Sequence, residues 1–164
     1  MQRRQLIKYF GIVPAVYPLL KLTDSLLITK FQSVENGSIL DQLIFLNDKL
    51  IPSILEKQER VKVNKYFGGV HDDYEIYTVH QTVYFINTIV CGYISKSSKY
   101  YHSQELIVPL ENAIGFILSN QHPDGTIDLH STNFHSTPDT AFMVEPLTAV
   151  YEIINKSENL NDSP

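Results

Sequence analysis

A helical repeat of apolar residues in the middle of the chain constrains its fold most. A glycine pair, Gly68-Gly69, breaks the chain before this segment, and the acidic residues Asp72 and Asp73 then suit the positive end of a helix dipole. Gly92 predicts the end of the helix. The spacing puts the apolar side chains on one face of an α-helix. They recur at three- and four-residue intervals: Ile76, Val79, Val83, Ile86, Val90 and Tyr93.

A similar pattern precedes this helix at residues 39–58. Asn36 or Ser38 could cap its start. Pro52 lies inside the pattern, so we expect a kink or the start of a second helix there.

Two more helices are predicted after the central one. The first covers about 103–120, and the last covers roughly Pro138–Asn155, where Pro138 suits a first helical turn. No strand hairpin is predicted, and residues 125–128 would at most pair briefly. We therefore expect an all-α fold of antiparallel helical hairpins.

Length and charge exclude several classes of protein. A chain of 164 residues fits one domain. Its net charge of −5, with no cluster of lysine or arginine, argues against a nucleic-acid binder. The single cysteine, Cys91, excludes an internal disulfide and a cysteine-based zinc site.

The N-terminus has the order of an export signal. Arg3-Arg4-Gln5-Leu6-Ile7-Lys8 has the twin-arginine pattern and precedes an apolar run at residues 9–20. That run is too short for a membrane span, which needs about 20 residues, so we expect no stable span. The alternative is a basic, amphipathic first helix of the domain.

These patterns divide the chain into three parts. We expect an export signal at residues 1–23, a helical domain at 24–155 and a polar tail at 156–164. Export would place the protein in the periplasm or outside the cell. If the N-terminus is not a signal, the protein would be cytoplasmic.

The segment Gln121–Glu145 carries the chain's densest group of polar and ionisable residues. Connections between helices usually need about 2–8 residues, and long ordered loops on a rigid scaffold often carry function. We expect this loop to line a sugar cleft. The residues assigned to substrate contact are Asp124, Asp128, His130 and Glu145.

Three interpretations of this loop compete. In an acid/base site, Asp139 would orient His135, and Asn133 would donate a hydrogen bond to a carboxylate or a developing anion. A metal site could use His130, His135 and Asp139, but their spacing is not the helical His-x-x-x-His signature, and we predict no metal and no cofactor. In a purely structural loop, Asp124 would form an Asx-type turn, and Ser136 or Thr137 would cap the last helix.

Two residues on the predicted helices are also polar among apolar neighbours. Glu145 either faces a cleft, pairs with a loop histidine or points to solvent. His80 lies between Val79 and Val83, where a satisfied histidine on the helix surface is the simplest interpretation.

The sequence of this loop resembles that of heparinase II/III-like proteins, which are bacterial polysaccharide lyase relatives with an (α/α) toroid. The similarity spans about residues 36–155, and the Gly68-Gly69-Val70 loop is similar to the hairpin that precedes a helix in that family. The segments that carry it are Asn120-Gln121-His122-Pro123-Asp124-Gly125-Thr126-Ile127-Asp128, Ser131-Thr132-Asn133-Phe134-His135-Ser136 and Pro138-Asp139-Thr140-Ala141-Phe142.

The resemblance implies binding of an acidic polysaccharide and, in complete members, β-elimination at a uronic acid. Asn133 and His135 match the positions that would act in that reaction, with Asp139 as support. No tyrosine of this chain can be matched to the family's base.

A closed toroid needs more helices than the four or five that this sequence predicts. We therefore expect a partial toroid, the N-terminal portion of a larger protein, with an apolar face for the missing C-terminal part and no activity alone. The alternative is a non-catalytic helical module that binds carbohydrate or another protein.

Overall fold

The computed structural model describes residues 38–129 and 133–161, with side chains as far as residue 156. This part of the chain is mainly α, as predicted. The predicted export signal lies outside the described residues. The helices are α1 (Ile39–Glu56), α2 (Val79–Ile94), α3 (Ile107–Ser119) and α4 (Thr137–Asn161), and a 3-10 turn, Gln104–Leu106, leads into α3. The strands are β1 (Val70–His71), β2 (Tyr77–Thr78), β3 (Ile127–Leu129) and β4 (Asn133–Ser136).

The start of α1 is fixed by a capping box. The Ser38 hydroxyl accepts a hydrogen bond from the Asp41 backbone N–H, and the Asp41 carboxylate accepts one from the Ser38 N–H. Each side chain thereby satisfies a backbone donor that the first helical turn leaves open. The helix then continues through Pro52 to Glu56, so the predicted second helix does not begin at the proline.

The prediction that the chain has no strand hairpin is wrong, because β1 and β2 form one directly before α2. The predicted acidic helix start is instead its turn. The Asp72 carboxylate accepts hydrogen bonds from the backbone N–H groups of Tyr74 and Ile76, and Glu75 takes a left-handed backbone with φ 61°. Helix α2 begins only at Val79, after the Thr78 hydroxyl accepts a bond from the Gln81 N–H.

The second hairpin pairs β3 with β4 in antiparallel order. At most a brief pairing was predicted near residues 125–128, so this hairpin also corrects the prediction. Helix α4 follows β4 immediately and continues to Asn161, beyond the predicted end at Asn155. Pro138 lies in its first turn, as predicted.

Helix α2 is central, since it packs against α1, α3 and α4. Helix α1 runs antiparallel to it: Ser97, just beyond the end of α2, binds the first turn of α1 at Asp41, whereas Val70 before α2 pairs with Gln58 beyond α1. The main core lies between these helices. Its buried residues are Ile51, Val70, Phe85, Ile86, Ile89, Val90, Leu106 and Ala113.

A second, smaller core brings both hairpins to one end of the bundle. It joins the start of α2, the end of α3, the start of α4 and strand β3. Its buried residues are Val79, Val83, Phe116, Ile127 and Met143, with Tyr66 packed against them. None of the helices described here is long and apolar enough to cross a membrane.

Candidate functional site

A tight turn opens the second hairpin. The His122 N–H donates to the Thr126 carbonyl at 2.8 Å, and the Gly125 N–H donates back to the His122 carbonyl at 2.8 Å. Gly125 has φ +87°, a conformation that L side chains rarely adopt. The Asp124 carboxylate accepts from the Thr126 N–H at 3.0 Å, which confirms the predicted Asx-type turn.

Strand β4 returns His135 to this turn. The His135 N–H donates to Asp128 Oδ1 at 2.9 Å, and the backbone at His135 is left-handed, with φ 50°. The register of β3 and β4 also shifts between Ile127 and Leu129. Histidine is among the residue types that tolerate this conformation better than most, and the irregularity aims its ring back towards the turn.

Two histidines stack face to face at the centre of the site. The rings of His122 and His135 have centroids 3.8 Å apart and planes 19° apart. His122 Nε2 lies 2.8 Å from Asp128 Oδ1, and His135 Nδ1 lies 2.9 Å from Asp124 Oδ2. Each ring is therefore held by its own carboxylate. The pair of His135 and Asp124 is the more exposed, with 55% of each side chain accessible, against 29% and 27% for His122 and Asp128.

Hydrogen bonds keep both carboxyl groups ionised. The Thr126 hydroxyl and N–H, followed by His135, hold the pKa of Asp124 well below its usual range. The His135 N–H, followed by the His122 ring, lowers the pKa of Asp128. Bonds donated to a carboxylate favour its charged form, so the site keeps two negative charges at neutral pH.

The structure gives Asp139 a different partner from the one predicted. Its carboxylate accepts a hydrogen bond from the Ser136 hydroxyl, and its N–H donates to the Ser136 oxygen at 3.3 Å. Ser136 thus caps α4, as the structural interpretation predicts. Asn133 Nδ2 also donates to the Ser136 hydroxyl, at 2.9 Å. His135 is oriented by Asp124 and Asp128 instead.

The remaining predicted residues lie elsewhere. Glu145 is exposed, and no described side chain binds its carboxylate, which matches the solvent-facing alternative. His130 lies outside the described residues. Within the ranges that the structure describes, no group of three or more His, Cys, Asp or Glu residues is arranged to hold a metal ion.

Helix α2 contributes a histidine beside this hairpin. His80 Nε2 lies 3.1 Å from the Tyr84 hydroxyl, which gives His80 the satisfied position predicted for it. Burial lowers the pKa of His80, and the nearby negative charge of Asp139 partly opposes that effect. The start of α2 is therefore within electrostatic reach of the start of α4.

The first hairpin supplies an aromatic group at the same end of the bundle. The rings of Tyr66 and Tyr77 stack at 4.8 Å, and the ring of His71 meets Tyr77 edge-on at 5.4 Å. Burial and the Glu59 carboxylate raise the pKa of Tyr77. Asp73 forms an exposed ion pair with Lys57 at 2.6 Å. Of the two acidic residues in this loop, Asp72 therefore stabilises the turn and Asp73 pairs at the surface.

Sequence reasoning did not select His122 or Thr126 as site residues. Both belong to the Pro-Asp-Gly turn, which brings His122 and Thr126 together through the backbone. That turn is the signal that could have found them, since it places the residues on either side of it next to each other.

A comparison of the chain with family models, curated proteins and solved structures finds no match.

Proposed function

We propose that this chain contacts carbohydrate with the end of the bundle that carries the two hairpins, and that it has no turnover alone. The stacked pair of His122 and His135, held by two carboxylates, carries the proposal. Sugar rings offer many hydroxyl groups, and imidazole and carboxylate groups can pair with these in fixed directions. A site of this kind on ordered hairpins costs little further ordering when a ligand binds.

Apolar surface beside the polar group supports the same function. Phe134 precedes His135 in β4 and is 74% exposed, and Phe142 is 65% exposed one turn beyond Asp139 in α4. Aromatic rings of this sort pack against the C–H faces of sugar rings while their surroundings supply hydrogen bonds.

Binding is favoured over catalysis by what the predicted catalytic residues do. Asn133 and Asp139 both use Ser136 as a partner, so neither assists His135. Elimination next to a carboxylate also needs groups that stabilise a developing anion. Residues 100–155 contain no lysine or arginine to do so.

We also propose that the chain is one part of a larger (α/α) toroid. Helix α1 runs antiparallel to α2, and both hairpins lie at one end of the bundle. This arrangement supports one sector of an (α/α) ring. Exposed apolar residues support a further helical neighbour, because a helix with apolar residues on its outer face lacks a partner. Such residues include Val108 and Leu118 on α3, which are 60% and 64% exposed, and Tyr151 on α4, which is 67% exposed.

Nuclear magnetic resonance tests the carbohydrate proposal. The amides of β3, β4 and the 122–126 turn should shift when oligosaccharides are added to the labelled full chain. The variant His135→Asn removes the imidazole ring and should abolish the shifts. Asparagine also tolerates a left-handed backbone, so the hairpin should keep its fold. A matched control is His102→Asn: His102 also has positive φ, 52°, but its ring lies against Tyr93 and Tyr101. If no saccharide moves these amides, the proposed function is wrong.

Light scattering tests the assembly. If the chain self-associates alone but forms a defined complex with a second helical polypeptide, the proposal that it is one sector of a ring is supported. A stable monomer that does not bind such polypeptides would contradict this proposal, and an independent binding module would then be the better description.

A further inference from the structure

The charge and hydrogen-bonding capacity of the site indicate which saccharides it takes. We infer that its ligand is a saccharide without anionic groups, bound through hydroxyls that donate hydrogen bonds. This inference rests on the proposed function. It favours a neutral ligand over the acidic polysaccharide that the family resemblance implies.

The stretch of chain that contains the site is acidic. The whole stretch of residues 100–155 has no permanent positive charge. The second hairpin and the adjoining first turn of α4 carry the acidic residues Asp124, Asp128 and Asp139. In the described part of the chain, the ion pairs of lysine lie elsewhere, at Lys57 with Asp73 and Lys156 with Glu152. A uronate or sulfate group would therefore meet carboxylates with no lysine or arginine of residues 100–155 to offset them.

The two carboxylates determine which nitrogen of each imidazole ring donates a hydrogen bond and which accepts one. An ionised carboxylate only accepts, so the nitrogen facing it must donate. His135 Nδ1 faces Asp124 and His122 Nε2 faces Asp128. In a neutral imidazole the other nitrogen is then an acceptor. His135 Nε2 and His122 Nδ1 thus add to the carboxylate oxygens, and the site accepts many hydrogen bonds while donating few.

The negative charge and the excess of hydrogen-bond acceptors favour the same kind of ligand. A group of acceptors is complementary to sugar hydroxyls, which donate, and mismatched to carboxylate and sulfate oxygens, which only accept.

Matched pairs of oligosaccharides test the inference. Hexasaccharides of mannose, galactose and glucose are compared with the corresponding oligouronates, which differ by a carboxylate on each ring. At about pH 7.5 the neutral member should bind at least about fivefold more tightly, the effect of one like-charge contact at about 4 Å in water.

Two further measurements separate the causes. High salt should reduce the discrimination at pH 7.5, since it screens exposed charges. The variant Asp124→Asn should reduce it as well, whereas Glu111→Gln on the exposed side of α3 should not. An oligouronate that binds as tightly as its neutral partner at pH 7.5 would overturn the inference and leave the proposed function standing. Failure of every saccharide to bind at about pH 7.5 would refute both.

Discussion

His135 donates a hydrogen bond to Asp124 across 2.9 Å, which ties the left-handed residue of β4 to the turn before β3. The same carboxylate also accepts from the hydroxyl and the N–H of Thr126. The Asp124 side chain therefore closes the turn and also holds the His135 ring in place.

The variant Asp124→Asn should lower the melting temperature of the protein at neutral pH. The folded state lowers the pKa of Asp124, so the ionised carboxylate stabilises the fold above the usual carboxyl pKa of about 4, and this stabilisation is lost as the pH falls through the lower, folded-state pKa. The difference between variant and wild type should thus be largest above about pH 5 and shrink in acid. Circular dichroism melts across this range measure it, with Glu111→Gln as the control. A difference that grows in acid would contradict the prediction.

Ser136→Ala should destabilise the start of α4. Its hydroxyl caps the helix at Asp139 and accepts from Asn133, and Ser136 is only 1% exposed. We expect the free energy of unfolding in urea to fall by about 0.5–2 kcal/mol, the usual effect of losing an N-cap. Ser119→Ala at the exposed end of α3 should change it by less than about 0.5 kcal/mol. Equal effects of the two variants would show that the cap contributes nothing.

Gly68→Ala should be among the most damaging small substitutions. Gly68 has φ +84°, and an added Cβ would lie 2.0 Å from the Asn112 carbonyl oxygen. Backbone strain and overlap together should cost more than about 2 kcal/mol of the free energy of unfolding. Gly115→Ala provides the opposite case, because its Cβ would meet nothing within 4 Å. In helix α3 that change should stabilise by about 0.5–1 kcal/mol. Chemical denaturation measures the free energy of unfolding of both variants. A Gly68→Ala variant as stable as the wild type would refute the close approach of Gly68 to the Asn112 carbonyl.

Thr82→Val isolates the bond between the first hairpin and α2. The Thr82 hydroxyl donates to the Thr78 carbonyl and accepts from the Val70 N–H at 3.1 Å, with Thr82 fully buried. Valine keeps the shape but leaves that N–H without a partner, at a cost of about 1–3 kcal/mol. Thr148→Val is the control, since exposed Thr148 only donates to the carbonyl of Val144. Urea denaturation should show a change below about 0.5 kcal/mol there. Similar losses would mean that the bond to Val70 is unimportant.

Helix periodicity predicted most of the fold, but the hairpins were not predicted. Strands such as Val70–His71 are too short for alternation to show in the sequence. The residues Asp72 and Asp73 fit either a helix start or an Asx-type turn, and only the contacts with Tyr74 and Ile76 distinguish these.

The predicted pairing of His135 with Asp139 differs from the contacts that the structure shows. The sequence 136–139 is a capping signature, Ser-x-x-Asp, and it already occupies Asp139. That observation alone could have removed Asp139 as the partner of His135. The choice of Asp124 and Asp128 instead depends on the left-handed backbone at His135, which no local pattern indicates.

The central place of α2 has a consequence for how the protein opens. Among the described elements, α2 is the helix that α1, α3 and α4 all pack against, and its residues Phe85, Val83 and Ile89 are at most 2% exposed. None of the outer helices can detach without uncovering part of it. Its amide protons should therefore exchange with solvent only through global unfolding, while those of the exposed residues Asn133–His135 in β4 exchange through local opening.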